Sequence, residues 1–192
     1  MANVDSAFGF RPIRRLDGAA WTGNHTTRKM ANTAGALNRG DVVKDLGDGY
    51  VAVTTAANTA HSTIGVFVGC HYLAASLGYP IWSNYWPGSG ATGDVDAFII
   101  DDPNVVFEVQ SVLGPVALTS IGQNADVTIV ASTTGFSKWT LAAPTTTATL
   151  PFRVIGLGSA GSMVGNGYDH TTAYNIVEVS WNDQIYRQMV AV

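Results

Sequence analysis

Charge is what this sequence has least of. Only 12% of its 192 residues are Asp, Glu, Lys or Arg, about half the share of an average soluble domain. A surface so poor in charge suits one that partners partly cover. Ten cations stand against fourteen carboxylates, so the basic excess that marks a dedicated nucleic-acid binder is missing. Cysteine occurs once, as Cys70, which excludes an intrachain disulfide and a cysteine-based zinc cluster. Nowhere do about 18 apolar residues run together, so no membrane-spanning helix is expected. The opening "MANVDSAFGFRPIRR" lacks the charged-then-apolar order of a secretory signal, and the sequon Asn24-His25-Thr26 is read as coincidence. What the chain does have is apolar residues, 46%, and 21 glycines. Its length suits one substantial domain rather than two cores.

The pattern from residue 41 onward is β. "DVVKDL" at 41–46 and "GYVAVTTA" at 49–56 flank a Gly-Asp pair, the chemistry of a hairpin turn. "STIGVFVGC" follows at 62–70. In "NVVFEVQ", Val105, Phe107 and Val109 share one face while Val106, Glu108 and Gln110 share the other, the alternation of a half-buried strand. "DVTIVAS" and "GFSKWTLA" repeat the theme. "LPFRVIGLG" sets Leu150, Phe152 and Val154 to one side, and "AYNIVEVSWN" sets Val177, Val179 and Trp181 against Ile176, Glu178 and Ser180. No window makes an amphipathic helix, because Gly, Pro and β-branched residues interrupt every candidate. Regularly spaced short strands predict an all-β fold, with a jelly-roll-like, barrel or sandwich core over 41–192. Residues 1–40 lack any sustained period and are expected to form an extended N-terminal arm with loops. The Thr- and Ala-rich "TTAANTAHST" and "APTTTAT" read as exposed loops.

Two clusters stand out against this background. Seven of the ten cations lie in the first 44 residues: Arg11, Arg14, Arg15, Arg28, Lys29, Arg39 and Lys44. Basic arms of this kind bind an acidic surface or nucleic acid, or stay solvated. The second cluster is "GYPIWSNYWPGSG" at 78–90, whose Tyr79, Trp82, Tyr85 and Trp86 can close a core, meet a partner or another copy of the chain, or stack on a sugar.

Enzymatic motifs are weak. Gly156, Gly158 and Gly161 spell G-x-G-x-x-G, with Glu178 twenty residues past Gly158, the lettering of a dinucleotide site. That site needs a helix to begin at the loop, and "MVGNGYDHTT" is a poor helix. No nicotinamide or other cofactor is expected. His25, His61, His71 and His170 show no metal-ligand spacing. Asp94, Asp96, Asp101 and Asp102 lack the spacing of an EF-hand, and Asp102-Pro103 reads as a turn between strands. No G-x-S-x-G elbow occurs. Paired carboxylates stay open, since their spacing is spatial rather than sequential.

The opening "FGFRPIRRLDGAAWTGN" resembles the start of head decoration, or cement, proteins of tailed bacteriophages. Matching residues are Phe8, Gly9, Arg11, Pro12, Arg14, Gly18, Trp21, Gly23 and Asn24, and the similarity continues in "GVFVGCHY", "DDPNVVFEVQ" and "YNIVEVSWNDQIY". The resemblance implies a non-enzymatic β protein, made in the bacterial cytoplasm, that binds the major capsid protein on the outer surface of the head as a homodimer or homotrimer. On that expectation the opening is a strap. Phe8, Phe10, Ile13 and Trp21 anchor it, each worth roughly 1.5–3 kcal/mol on burial. Pro12 stiffens it, and Arg11, Arg14 and Arg15 set its register on carboxylates. Ordering each arm residue costs roughly 1–2 kcal/mol, so several arms must act together. The alternative is a receptor- or glycan-binding virion protein that uses the aromatic loop 78–90.

Overall fold

The computed structural model describes residues 2–55, 62–112, 114–158 and 168–187. In chain order its strands are β1 (Arg11–Arg15), β2 (Thr26–Met30), β3 (Val42–Asp45), β4 (Val51–Val53), β5 (Thr63–Leu73), β6 (Pro80–Ser83) and β7 (Val95–Ile100). There follow β8 (Val105–Gln110), β9 (Asn124–Ala125), β10 (Val127–Thr128), β11 (Thr140–Leu141), β12 (Phe152–Leu157) and β13 (Ile176–Trp181). All named ladders are antiparallel. β10 and β11 form a separate two-stranded sheet; of the two large sheets, the first runs β1-β8-β13-β12-β9 and the second runs β2-β7-β5-β3-β4, with β6 added on β5. The two pack as a sandwich, the last of the three architectures expected.

The alternation read from sequence explains why these sheets meet. Val105, Phe107 and Val109 of β8, Phe152 and Val154 of β12, and Val177, Val179 and Trp181 of β13 all turn inward, onto Val42, Val66 and Ile100 of the facing sheet. At the centre Phe10, Phe152 and Trp181 form a three-ring stack, with centroids 4.4 Å and 4.6 Å apart. Phe107 stands edge-on to each of the three, the favoured geometry for aromatic rings at right angles. A second core lies within the curl of the second sheet and contains Met30, Val51, Phe67, Val95, Ile99 and Trp86. The edges of that sheet touch at one bridge, Lys29 to Tyr50, without closing a barrel.

The arm expected over residues 1–40 is corrected by this arrangement. Its residues form β1, an edge strand of one sheet, and β2, an edge strand of the other. Ahead of them, Asn3 donates to the carbonyls of Asp169 and Ala173 at 2.7 and 3.1 Å. The amide of Ser6 reaches the Gln110 side chain at 3.0 Å. Phe10, expected to be an external anchor, is only 2% exposed. Pro12 fits the ladder because β1 is an edge strand, where a residue without an N–H is tolerated. The register slips between Pro12 and Arg14, a bulge that further blunts the edge against unwanted strand pairing.

Cys70 belongs to the second core, and burial pushes its thiol from 9.0 up to about 12. At pH 8 its thiolate fraction is on the order of one part in ten thousand. A thiol reagent at that pH is expected to label the folded protein only at the rate of global unfolding; burst labelling would place Cys70 in contact with solvent. Because the folded value lies above the unfolded one, the stability this thiol contributes is intact below pH 9.0 and is lost as the pH rises toward about 12.

Candidate partner-binding surface

The basic opening has an internal explanation. On the outer face of the first sheet, Glu108 of β8 stands directly opposite Glu178 of β13, and like charges in that register repel. Arg11 binds Glu108 at 2.5 Å and Arg14 binds Glu178 at 2.6 Å. Arg15 reaches Asp102 at 3.2 Å, Arg28 reaches Asp101 at 3.6 Å, and Lys29 holds Asp96 at 2.6 Å. Five of the seven early cations therefore clamp the edge strands β1 and β2 to carboxylates of β7, β8, β13 and the β7–β8 turn. Lys44 reaches the Thr55 hydroxyl at 3.4 Å. Arg39 alone of the seven is exposed and makes no ion pair with a described residue. Glu108 and Glu178, facing each other across β8 and β13, are thus each held by an arginine.

Arg39 overlooks a shallow groove of about 220 Å³ lined also by Phe8, Phe10, Arg11, Pro12, Val68 and Phe136. Three segments meet to form it. The Phe10 amide donates to the Gly40 carbonyl at 3.0 Å, the Arg39 amide to Gly135 at 3.2 Å, and the Ser137 amide back to Arg39 at 3.0 Å. Gly9 and Gly40 make the crossing possible. Both have positive φ, 73° and 98°, and a Cβ on Gly9 would lie 2.4 Å from that of Ser137. No other residue type fits there without moving the 135–137 segment.

Above this crossing the groove wall is apolar and its rim cationic. The Arg11 guanidinium sits 4.8 Å over the Phe8 ring, a cation–π contact. Phe136 is 60% exposed, and Gly135 beside it packs under the ring of Tyr85, where a Cβ would come within 3.0 Å. The fold thus sets Phe8, Arg11 and Pro12 around the groove, over the buried Phe10, while Tyr85 packs on Gly135 next to Phe136. Ile13 and Trp21 are half-buried, Trp21 against the first core. Arg14 and Arg15 are committed to the ion pairs above. Phe136, Arg39 and Val68 are additions that sequence spacing does not reveal.

The aromatic loop divides. Trp86 is fully buried, its indole N–H donating to Ala34 O at 3.1 Å and its backbone exchanging two hydrogen bonds with Leu37. Partner contact is therefore corrected to core closure at this one position. Tyr79, Trp82 and Tyr85 stay exposed. Elsewhere, β12 and β13 pair antiparallel, so the glycine run joins a hairpin rather than the parallel crossover a dinucleotide fold requires; Gly161, like His61, lies outside the described residues. Asp94 accepts from the Tyr50 hydroxyl at 2.9 Å. Asp102 caps its own turn, accepting from the Asn104 amide at 2.9 Å, as the Asp-Pro pair predicts. Among the described residues no group of three His, Cys, Asp or Glu is placed to hold a metal ion, and no helix is long and apolar enough to cross a membrane. No protein-family model, curated protein or solved structure matches this chain.

Proposed function

We propose that the protein is a non-enzymatic decoration protein of a tailed-phage head, binding the outer surface of the assembled shell as an oligomer. The observation that carries this reading is the groove. The segment resembling the decoration-protein opening, residues 8–12, builds its wall, and beside it stand an exposed phenylalanine, Phe136, and a cation without an ion pair, Arg39. An exposed apolar wall beside a cation that makes no ion pair with a described residue suits a shell subunit that offers an apolar side chain flanked by a carboxylate. Attachment works through the folded edge of the sandwich, so the binding segment is ordered before it meets the shell and the entropy of ordering a strap is not charged to binding. Several grooves on one oligomer then act at high effective concentration.

Arg39→Glu combined with Phe136→Ser tests this reading, because both side chains are exposed and their loss spares the cores. Cosedimentation with undecorated heads is expected to show at least about a tenfold loss of affinity, with thermal stability unchanged. Wild-type occupancy by the double variant would contradict the proposed site.

A further inference from the structure

The geometry points to a second binding site, independent of the groove: a flat platform for a neutral saccharide on the outer surface of the second sheet, centred on Trp82. One cross-strand row runs Lys29–Asp96–His71–Trp82 through β2, β7, β5 and β6. On β7 the face that sends Ile100 into the inter-sheet core also carries Phe98 and Asp96, farther from the turn and outside that core. The Trp82 ring is stacked on Phe98 with an interplanar angle of 14° and centroids 5.4 Å apart, and lies 4.3 Å from His71. His25 meets Phe98 edge-on at 5.0 Å. Gly69, opposite Phe98 in the ladder, contributes no side chain between these rings.

Four rings held this way form a supported surface rather than one stray aromatic. Trp82 remains 72% exposed, more than an indole covered on both faces could keep. Phe98 and His71 therefore support one face, and the other is open to solvent. An indole face so presented matches the C–H face of a pyranose ring, since it offers a broad polarisable surface at little conformational cost. Beyond His71 the row continues into polar groups, Asp96 on β7 and Lys29 on β2. Asp96 and Lys29 are paired at 2.6 Å, and the His71 Nδ1 is 3.8 Å from the second Asp96 oxygen. The Lys29–Asp96 charges cancel, so the complementary ligand is neutral, and both groups keep capacity for further hydrogen bonds. The shape is flat and open, not the concave pocket that receives an anchoring protein side chain. A protein partner is thus the less fitting occupant.

The test is a titration of the full chain with maltohexaose, cellohexaose, chitohexaose and mannohexaose, each to about 10 mM, followed by the indole N–H resonances in ¹H–¹⁵N spectra; weak single-site affinities fall in this range. At least one probe is expected to move the Trp82 indole signal saturably. Trp82→Ala is expected to weaken binding by roughly tenfold or more, and Trp82→Tyr to retain most of it. Both variants keep the fold because the side chain is exposed. Four silent titrations would overturn the proposal, as would saturable binding that Trp82→Ala leaves unchanged. Loss of head coating by Trp82→Ala with no saccharide response would assign the platform to the shell protein instead.

Discussion

Phe10→Ala is expected to destabilise the fold by about 3–5 kcal/mol, the range for truncating a buried aromatic. Phe10 is the first ring of the Phe10–Phe152–Trp181 stack and meets Phe107 edge-on. Its removal opens a ring-sized void where both sheets converge, and the antiparallel ladders on either side hold the walls apart. A small domain has about 5–15 kcal/mol of total stability, so the variant is expected to unfold at a much lower urea midpoint. Phe10→Leu, which refills most of the volume, is expected to cost less than about 1.5 kcal/mol. A free strap would give the opposite pattern, in which neither substitution shifts the midpoint.

Removal of the β1 cations is expected to have the next largest effect. Arg14→Ala leaves Glu178, whose side chain is only 18% exposed, without its partner and directly opposite Glu108. A mostly buried carboxylate stripped of its charged hydrogen bond is penalised by about 1–3 kcal/mol. Arg11→Ala does the same to Glu108, and the two together are expected to exceed the sum of the singles, because each remaining arginine also screens the neighbouring glutamate. Glu178→Gln removes one of the facing charges and is expected to recover part of the Arg14→Ala loss. A double-mutant cycle in urea measures that coupling, expected at about 1 kcal/mol or more for groups in direct contact. Additive effects would mean that the Arg14–Glu178 contact contributes nothing to stability.

These two results bear on how far the fold could be read in advance. β8 and β13 were legible because each buries one face, so Val105, Phe107 and Val109, and Val177, Val179 and Trp181, alternate with residues of the other face. The β3–β4 hairpin was legible from its Gly-Asp turn, which forms as a loop over 46–50 closed by the Leu46 amide on the Tyr50 carbonyl. β1 was hidden for a physical reason. An edge strand exposes one margin to water and tolerates Pro12, while the bulge after Pro12 destroys the period-2 signal. β2, "TTRKM", is an edge strand too, and its cations look like an arm until their carboxylate partners on β7 and the β7–β8 turn are placed beside them. β7 did alternate, Val95, Ala97 and Ile99 inward, but its aspartates drew attention to metal chemistry.

The candidate sites were less legible than the fold because they are made of distant pieces. Phe8 to Pro12 stood out by composition. Arg39, Val68 and Phe136 join them only after the Gly9–Gly40 crossing brings the 135–137 segment alongside. Trp82 and Trp86, four residues apart in one aromatic loop, have opposite fates, since Trp82 lies in β6 on the outer face while Trp86 turns into the second core. Loop composition cannot separate them; the strand register does.

The most direct test of the account is a side-chain-resolution map of a decorated head. The prediction is that residues 8–15 of each copy remain in their own sandwich, with Phe10 on Phe152 and Arg14 on Glu178, while Phe8, Arg39 and Phe136 face the shell. Residues 1–15 peeled from that sandwich and laid across a neighbouring subunit, or a groove turned away from the shell, would contradict it.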